Sequence, residues 1–489
     1  MSTQNSDTTI KSLLILGASG DLTQRLLLPG LASLLATGKV DQLHVKGVGT
    51  PDVSAAEFSK RVAKAFAESI EATASDVARS TGHKVLSETQ AAASYETADV
   101  TAPGELGKLV SSVPGPVAVF FALPPAVTEK ALVAAAPEDL PEGTVLVLEK
   151  PFGSNLEAAK ALNQKLTRLV PEQNIHRVDH FLGKSTVLNI LGLRFANRFL
   201  EPLMTADHVE SVHLIYDEEL ALEGRAGYYD KAGALRDMIQ SHLLQIMALI
   251  AIDPPATLGE RDLRDKISEV LRATNVAGPP TENTRRARYS AGTSLDRSIV
   301  GYAEEEGVDP ARNTETLAEV TFNIINARWN RVPFVLRSGK AMERVRKEAI
   351  VTFKPVSHLP TGFTGCDSPT KLRIGFGPDT LALEIDVNGP GDPFHLDRMT
   401  LSAKLNQAGM LPYGEVLLGV LSGEPTLSVR ADAAEECWRI VEPVLAAWEA
   451  NEVTLEEYPA GSEGPTDWVT YEKASLTGTT KPLTEGGSA

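Results

Sequence analysis

Four short apolar runs, each closed by a glycine or proline turn, constrain the fold of this chain more than any other feature of its 489 residues. They are Ser12-Leu-Leu-Ile-Leu16, Leu43-His-Val-Lys-Gly-Val48, Val117-Ala-Val-Phe-Phe-Ala-Leu123 and Thr144-Val-Leu-Val-Leu-Glu149. Segments with helical spacing separate them, among them 54–72 and 155–169. Their apolar character is mostly continuous, as in strands covered on both faces of a parallel sheet. Ligands reach such a sheet at the C-terminal ends of its strands, so the residues at these four ends are candidates for ligand contact.

The first end reads Gly17-Ala-Ser-Gly20-Asp-Leu22, and apolar residues at helical spacing follow to Leu35. Glycines in a strand-to-helix turn let backbone approach a pyrophosphate, and the helix N-terminus supplies free N–H groups. Gly17, Ser19, Gly20, Asp21 and Leu22 are therefore candidate cofactor-binding residues. The spacing is G-x-x-G rather than G-x-G-x-x-G, so the motif alone leaves a plain strand–helix turn open. Its place at the first strand of an alternating series favours a dinucleotide site. The second end, Thr50-Pro51-Asp52, is where such folds select between cofactors: an acid bonds a ribose 2′-hydroxyl, an arginine a 2′-phosphate. No arginine occurs there before Arg61. Pro124-Pro125 closes the third run, and Lys150 closes the fourth ahead of Pro151, a position where a cis bond suits a tight turn.

The second half carries the acids and bases. Arg177-Val-Asp-His-Phe-Leu-Gly-Lys184 places an acid, an imidazole and an ammonium within eight residues. On an extended segment adjacent side chains point to opposite sides, so Asp179 and His180 are expected to serve different neighbours. Residues 234–252 read as one strongly apolar helix interrupted by Asp237, Gln240, His242 and Gln245. On an α-helix Asp237 and His242 would stand about 140° apart and not pair. Beyond Pro255 a charged helix precedes short strands at 316–324, 332–337, 349–353, 372–376, 381–387 and 399–405, which suggest an antiparallel sheet. Arg337-Ser-Gly-Lys340 sets a lysine after a glycine turn within it. The organisation expected is a dinucleotide-binding α/β domain over 1–178 and a larger α+β domain over 179–489, for substrate binding and dimerisation.

A net charge of −17 argues against a nucleic-acid partner. The polar N-terminus lacks the order of a signal peptide, and no apolar run reaches membrane-spanning length. Two cysteines, Cys366 and Cys437, offer neither a disulfide framework nor a metal-ligand spacing, so no metal is expected and a cytoplasmic location fits.

An ordered set of motifs resembles the glucose-6-phosphate dehydrogenase family. They are Gly17-Ala-Ser-Gly-Asp-Leu-Thr-Gln-Arg25, Leu123-Pro-Pro125, Glu149-Lys-Pro-Phe-Gly153, Arg177 to Lys184, Leu193-Arg-Phe-Ala-Asn197, Glu223-Gly-Arg225, Asp237 to Gln245, Val332 to Lys340 and Tyr458-Pro-Ala-Gly-Ser462. The resemblance implies a Rossmann domain joined to a domain whose mostly antiparallel sheet forms the dimer interface, in a homodimer or dimer of dimers. It implies oxidation of glucose 6-phosphate at C1 to the lactone with NADP or NAD. By the same carry-over His242 is the general base and Asp179 its orienting carboxylate. Lys150, Asp237, Glu218 and Lys340 would hold sugar hydroxyls, and His180 and Lys184 the phosphate. Gly17, Ser19, Gly20, Asp21, Leu22, Thr50, Pro124 and Lys150 would serve the cofactor. Four positions depart from the family pattern: Phe181 replaces a tyrosine, Ser241 an asparagine, Thr50 an arginine and Leu26 a lysine.

Overall fold

The computed structural model describes residues 10–468 apart from 41–42, 52, 73–75, 366 and 406–409. Asp52 and Cys366 lie outside the described residues. The chain divides into two compact units. The first holds residues up to 188 with 253–268 and 407–438, and the second holds 189–252, 269–406 and the residues from 439 onward. The first unit thus runs ten residues past the expected boundary at 178 and takes back two later segments. Local packing accounts for the third of these pieces. Helix Pro412–Ser422 lies against helix Leu28–Leu35 at Gly30, where an added Cβ would come within 2.5 Å of the Tyr413 Cβ. Ser428–Val429 then pairs antiparallel with Ile175–Val178.

The first unit is built on six parallel strands: β1 (Ser12–Leu16), β2 (His44–Gly49), β3 (Ser94–Thr97), β4 (Val117–Phe121), β5 (Val145–Glu149) and β6 (Ile175–Val178). Their order across the sheet is β6-β5-β4-β1-β2-β3, with Ser428–Val429 outside β6. The chain switches direction across the sheet at β1, between β4 and β2, and this leaves a crevice at the strand ends. Alternate residues feed two cores, as continuous apolar strands require. Leu13, Ile15, Val45, Phe120 and Val147 pack on one face, and Leu14, Leu16, Val119, Phe121 and Leu148 on the other.

The second unit has an eleven-stranded sheet. Its strands are β7 (Val209–Asp217), β8 (Thr274–Val276), β9 (Thr284–Ser290), β10 (Leu317–Ile324), β11 (Pro333–Gly339), β12 (Arg346–Phe353), β13 (Thr364–Gly365), β14 (Lys371–Phe376), β15 (Asp379–Asn388), β16 (His395–Lys404) and β17 (Leu455–Pro459). They run β13-β16-β15-β14-β12-β7-β11-β10-β9-β17, with β8 paired to β10. Most neighbours are antiparallel, as expected, and β7 with β11 is a parallel pair.

The single α-helix expected over 234–252 is replaced by three pieces: helix Ala226–Ala234, a π-helical turn Leu235–Leu243 and helix Leu244–Ala251. Gly233, at φ +68°, breaks the first helix. The buried Glu315 carboxylate then accepts the Leu235 N–H at 2.9 Å, taking the place of a helical carbonyl. At the far end the Leu244 N–H donates to the Ile239 carbonyl, five residues back. The wider winding invalidates the 140° separation inferred for Asp237 and His242, because residues five apart face more nearly the same way in a π turn.

Candidate active site

The crevice at the ends of β1, β2, β3 and β4 encloses about 540 Å³. Gly17, Ser19, Gly20, Thr50 and Pro124 line it. Gly17 sits at φ +89°, and a Cβ there would fall 2.1 Å from the Ala122 carbonyl oxygen, so only glycine permits the ends of β1 and β4 to meet. The donor set fits a dinucleotide: a glycine loop leads into a helix beside a roomy cleft at the switch point. Among the described residues lining this cleft the one charged side chain is Asp99, whose carboxylate accepts from the Thr101 N–H and hydroxyl. Those hydrogen bonds hold its carboxyl below the usual range.

The side of the cleft after β2 is neutral. The Ser19 and Thr50 hydroxyls are 3.3 Å apart, and the Tyr95 phenol donates to the Thr50 carbonyl at 2.8 Å. The nearby cation Arg61 is engaged: one guanidinium N–H donates to the Ser19 carbonyl at 3.0 Å, and its Nε stands 3.5 Å from Glu57. Of the other cofactor candidates, Asp21 is exposed and pairs with Arg25 at 3.4 Å, while Leu22 packs on the core. Neither they nor Lys150 line the cleft. Lys150 follows β5 at a cis peptide to Pro151.

Still in the first unit, the extended geometry expected of Asp179 and His180 ends at Val178. Asp179 opens a turn instead: its Oδ1 accepts the Phe181 N–H at 2.9 Å and its carbonyl accepts the Leu182 N–H at 3.0 Å. Short polar side chains compete well for nearby backbone N–H groups, which favours this turn over continued strand. Asp179 is buried at 1% exposure, while His180 and Lys184 are half-buried. The Lys184 ammonium stands 4.0 Å from the Phe181 ring centroid, a cation–π contact in place of a tyrosine hydroxyl. His180 stacks on Tyr413 at 5.8 Å, and the Tyr413 phenol donates to Glu149 at 3.1 Å. Burial pushes the Glu149 carboxyl up to about 7, against the opposing effects of Tyr413 and Lys150. Sequence reasoning did not identify Tyr413, which lies on a helix 264 residues along the chain from Glu149.

In the second unit, β7 and β11 run side by side and end in Glu218 and Lys340. Lys340 Nζ is 2.9 Å from Glu218 Oε2, and Lys347 Nζ is 3.1 Å from Glu218 Oε1. Burial opposes ionisation of Glu218, but the two ammonium groups prevail and hold its carboxyl below the usual range. Lys347 also lies over the Tyr216 ring at 4.4 Å, its register partner across β7 and β12. Asp237 accepts from the Tyr228 phenol at 3.0 Å, and the Ser241 hydroxyl donates to the Asp237 carbonyl. His242 is buried at 1% exposure in the π turn. The structure therefore joins Glu218 with Lys340, as a carboxylate–lysine wall, and adds Lys347 and Tyr228, which the sequence reading had not singled out.

Both halves match family profiles: "Glucose-6-phosphate dehydrogenase, NAD binding domain" over residues 14–189 and "Glucose-6-phosphate dehydrogenase, C-terminal domain" over 191–475. This chain belongs to the glucose-6-phosphate dehydrogenase family. The glucose-6-phosphate 1-dehydrogenase of Zymomonas mobilis is 33% identical over 476 residues, 94% of this chain and 96% of its own. That of Treponema pallidum is 36% identical, covering 93% of this chain and 92% of its own. Among solved structures, the glucose-6-phosphate 1-dehydrogenase of Mycobacterium avium aligns with a TM-score of 0.79 at 31% identity, over 94% of this chain and 95% of its own. A glucose-6-phosphate dehydrogenase in complex with glucose 6-phosphate aligns with a TM-score of 0.81 at 26% identity, over 96% and 97%. Among the described residues no helix is long and apolar enough to cross a membrane.

Proposed function

We propose that this protein oxidises glucose 6-phosphate at C1 to the lactone, in the cytoplasm, with NAD preferred to NADP as hydride acceptor. The observation that carries the reaction is family membership across both units, together with retention of His242, Asp179, Lys184, Glu218 and Lys340. His242 takes the C1 hydroxyl proton. Asp179 orients that imidazole and stabilises it once protonated, a role that suits a buried carboxylate. Glu218, Asp237, Lys340 and Lys150 hold sugar hydroxyls, and His180 and Lys184 hold the phosphate. When bound, the nicotinamide supplies the hydride acceptor. Gly17 and Gly20 give its pyrophosphate close access to backbone.

The preference for NAD rests on the neutral end of the cleft. A 2′-phosphate there would meet Thr50 rather than an arginine, the Asp99 carboxylate would repel it, and Arg61 is already bonded to Ser19 and Glu57. A homodimer through β15 and β16 is part of the same reading, since β16 is exposed along nearly its whole length and presents Met399 and Leu401. Kinetics on a panel of sugars tests the substrate. Glucose 6-phosphate should give the highest kcat/KM, and a higher value for free glucose or another sugar phosphate would displace it.

A further inference from the structure

The second unit contains another cleft, of about 220 Å³, whose lining shares no residue with the sites described above. Four cations face it, Lys231, Arg236, Arg286 and Arg312, with the indole of Trp448 as an apolar wall. Three carboxylates, those of Asp230, Glu315 and Glu449, also line it, so the balance of charge depends on how each is engaged.

Asp230 is 5% exposed and saturated: it accepts from the Tyr302 phenol at 2.8 Å and the Asp309 N–H at 3.1 Å, and pairs with Arg312 at 3.1 Å. Glu315 is buried and committed to the Leu235 N–H, and burial pushes its carboxyl up, which weakens it as a counter-charge. Glu449 is 75% exposed and meets Arg236 at 3.4 Å, a surface pair that a competing anion displaces at little cost. The cations are less well compensated. Arg286 donates to two neutral acceptors, the Val453 carbonyl at 3.0 Å and the Asn451 side chain at 3.2 Å. Lys231 is exposed and has no ion-pair partner among the described residues.

We infer that this cleft is a second anion site, shaped for a compact dianion of the phosphate or phosphate-monoester class. It has less than half the space of the dinucleotide cleft, 220 against 540 Å³, which excludes a whole dinucleotide. Planar guanidinium groups and an ammonium converging on one small space match phosphate geometry. Occupancy has a route to activity. Arg236 precedes Asp237, and Glu315 anchors the N–H of Leu235 at the start of the π turn that carries Asp237 and His242. This coupling rests on the function proposed above; the binding does not.

Titration of the full chain with inorganic phosphate at matched ionic strength, read as a thermal shift, separates this site from the sugar-phosphate residues. Lys184→Ala should keep a saturable stabilisation by phosphate. Lys231→Glu, an exposed change that leaves the core intact, should weaken phosphate binding in the Lys184→Ala background by roughly tenfold or more. Arg312→Gln should act in the same direction. Absence of phosphate stabilisation in Lys184→Ala, or stabilisation unaffected by both Lys231→Glu and Arg312→Gln, overturns the site. At saturating glucose 6-phosphate, phosphate should alter kcat in the wild type and not in Lys231→Glu. An equal effect in both removes the coupling and leaves the binding result standing.

Discussion

The dinucleotide cleft of the first unit and the lysine–carboxylate wall of the second solve recognition in opposite ways. The cleft uses backbone: Gly17 and Gly20 expose N–H groups, and its one charged lining side chain is Asp99. The wall uses side chains: Glu218 is clamped at 2.9 and 3.1 Å by Lys340 and Lys347. A ligand phosphodiester can be held by peptide dipoles alone. Sugar hydroxyls instead need fixed donors and acceptors, and those must be oriented by neighbours. The cleft's discrimination therefore lies in which charge is missing, and the wall's in how its charges are held.

The largest expected effect concerns proton transfer. His242→Asn should lower kcat by about 10²- to 10⁴-fold in folded protein, with a smaller change in KM. Near-normal turnover would remove His242 from the role of base. Thr50→Arg tests the cleft, since a guanidinium at the end of β2 should raise kcat/KM with NADP by roughly tenfold relative to NAD. An unchanged ratio would show that the neutral end of the cleft does not select the cofactor. Lys347→Ala tests the wall. Loss of one arm of the clamp should raise KM for glucose 6-phosphate by roughly fivefold with a lesser effect on kcat; unchanged KM would leave Lys347 a packing residue over Tyr216.

The smallest effect is on stability. The folded Glu149 carboxyl is pushed up to about 7 from its ordinary 4.5. The folded state therefore keeps a proton that the unfolded chain gives up between those values. Its favourable contribution is present below the lower value and is lost as pH rises through the upper one. Glu149→Gln keeps an acceptor for Tyr413 and removes the titration. Urea melts should show the variant gaining stability over wild type between about pH 5 and pH 8. A constant difference would mean that Glu149 is not titrating there.

The two regions also differed in how far they could be read from sequence. β1, β4 and β5 announced themselves as continuous apolar runs, and Gly17 and Gly20 marked the loop. β3, Ser94-Tyr-Glu-Thr97, did not, because an edge strand that is largely exposed carries no apolar run. Asp179 and Lys184 were recognisable by motif, yet the turn that Asp179 makes with Phe181 was hidden because strand and turn share those residues. Lys347 was invisible for a different reason: it reaches Glu218 only through the pairing of β7 with β12, 129 residues apart. Local spacing cannot report that pairing. The π turn at 235–243 was missed because its cause, Glu315, lies 80 residues beyond Leu235.

Steady-state turnover of glucose 6-phosphate by the wild-type protein, followed as reduced-nicotinamide absorbance with NAD and with NADP in parallel, tests the account most directly. The neutral end of the cleft leads to turnover with a higher kcat/KM for NAD than for NADP. A higher value with NADP, or no turnover with either cofactor in folded protein, would contradict it.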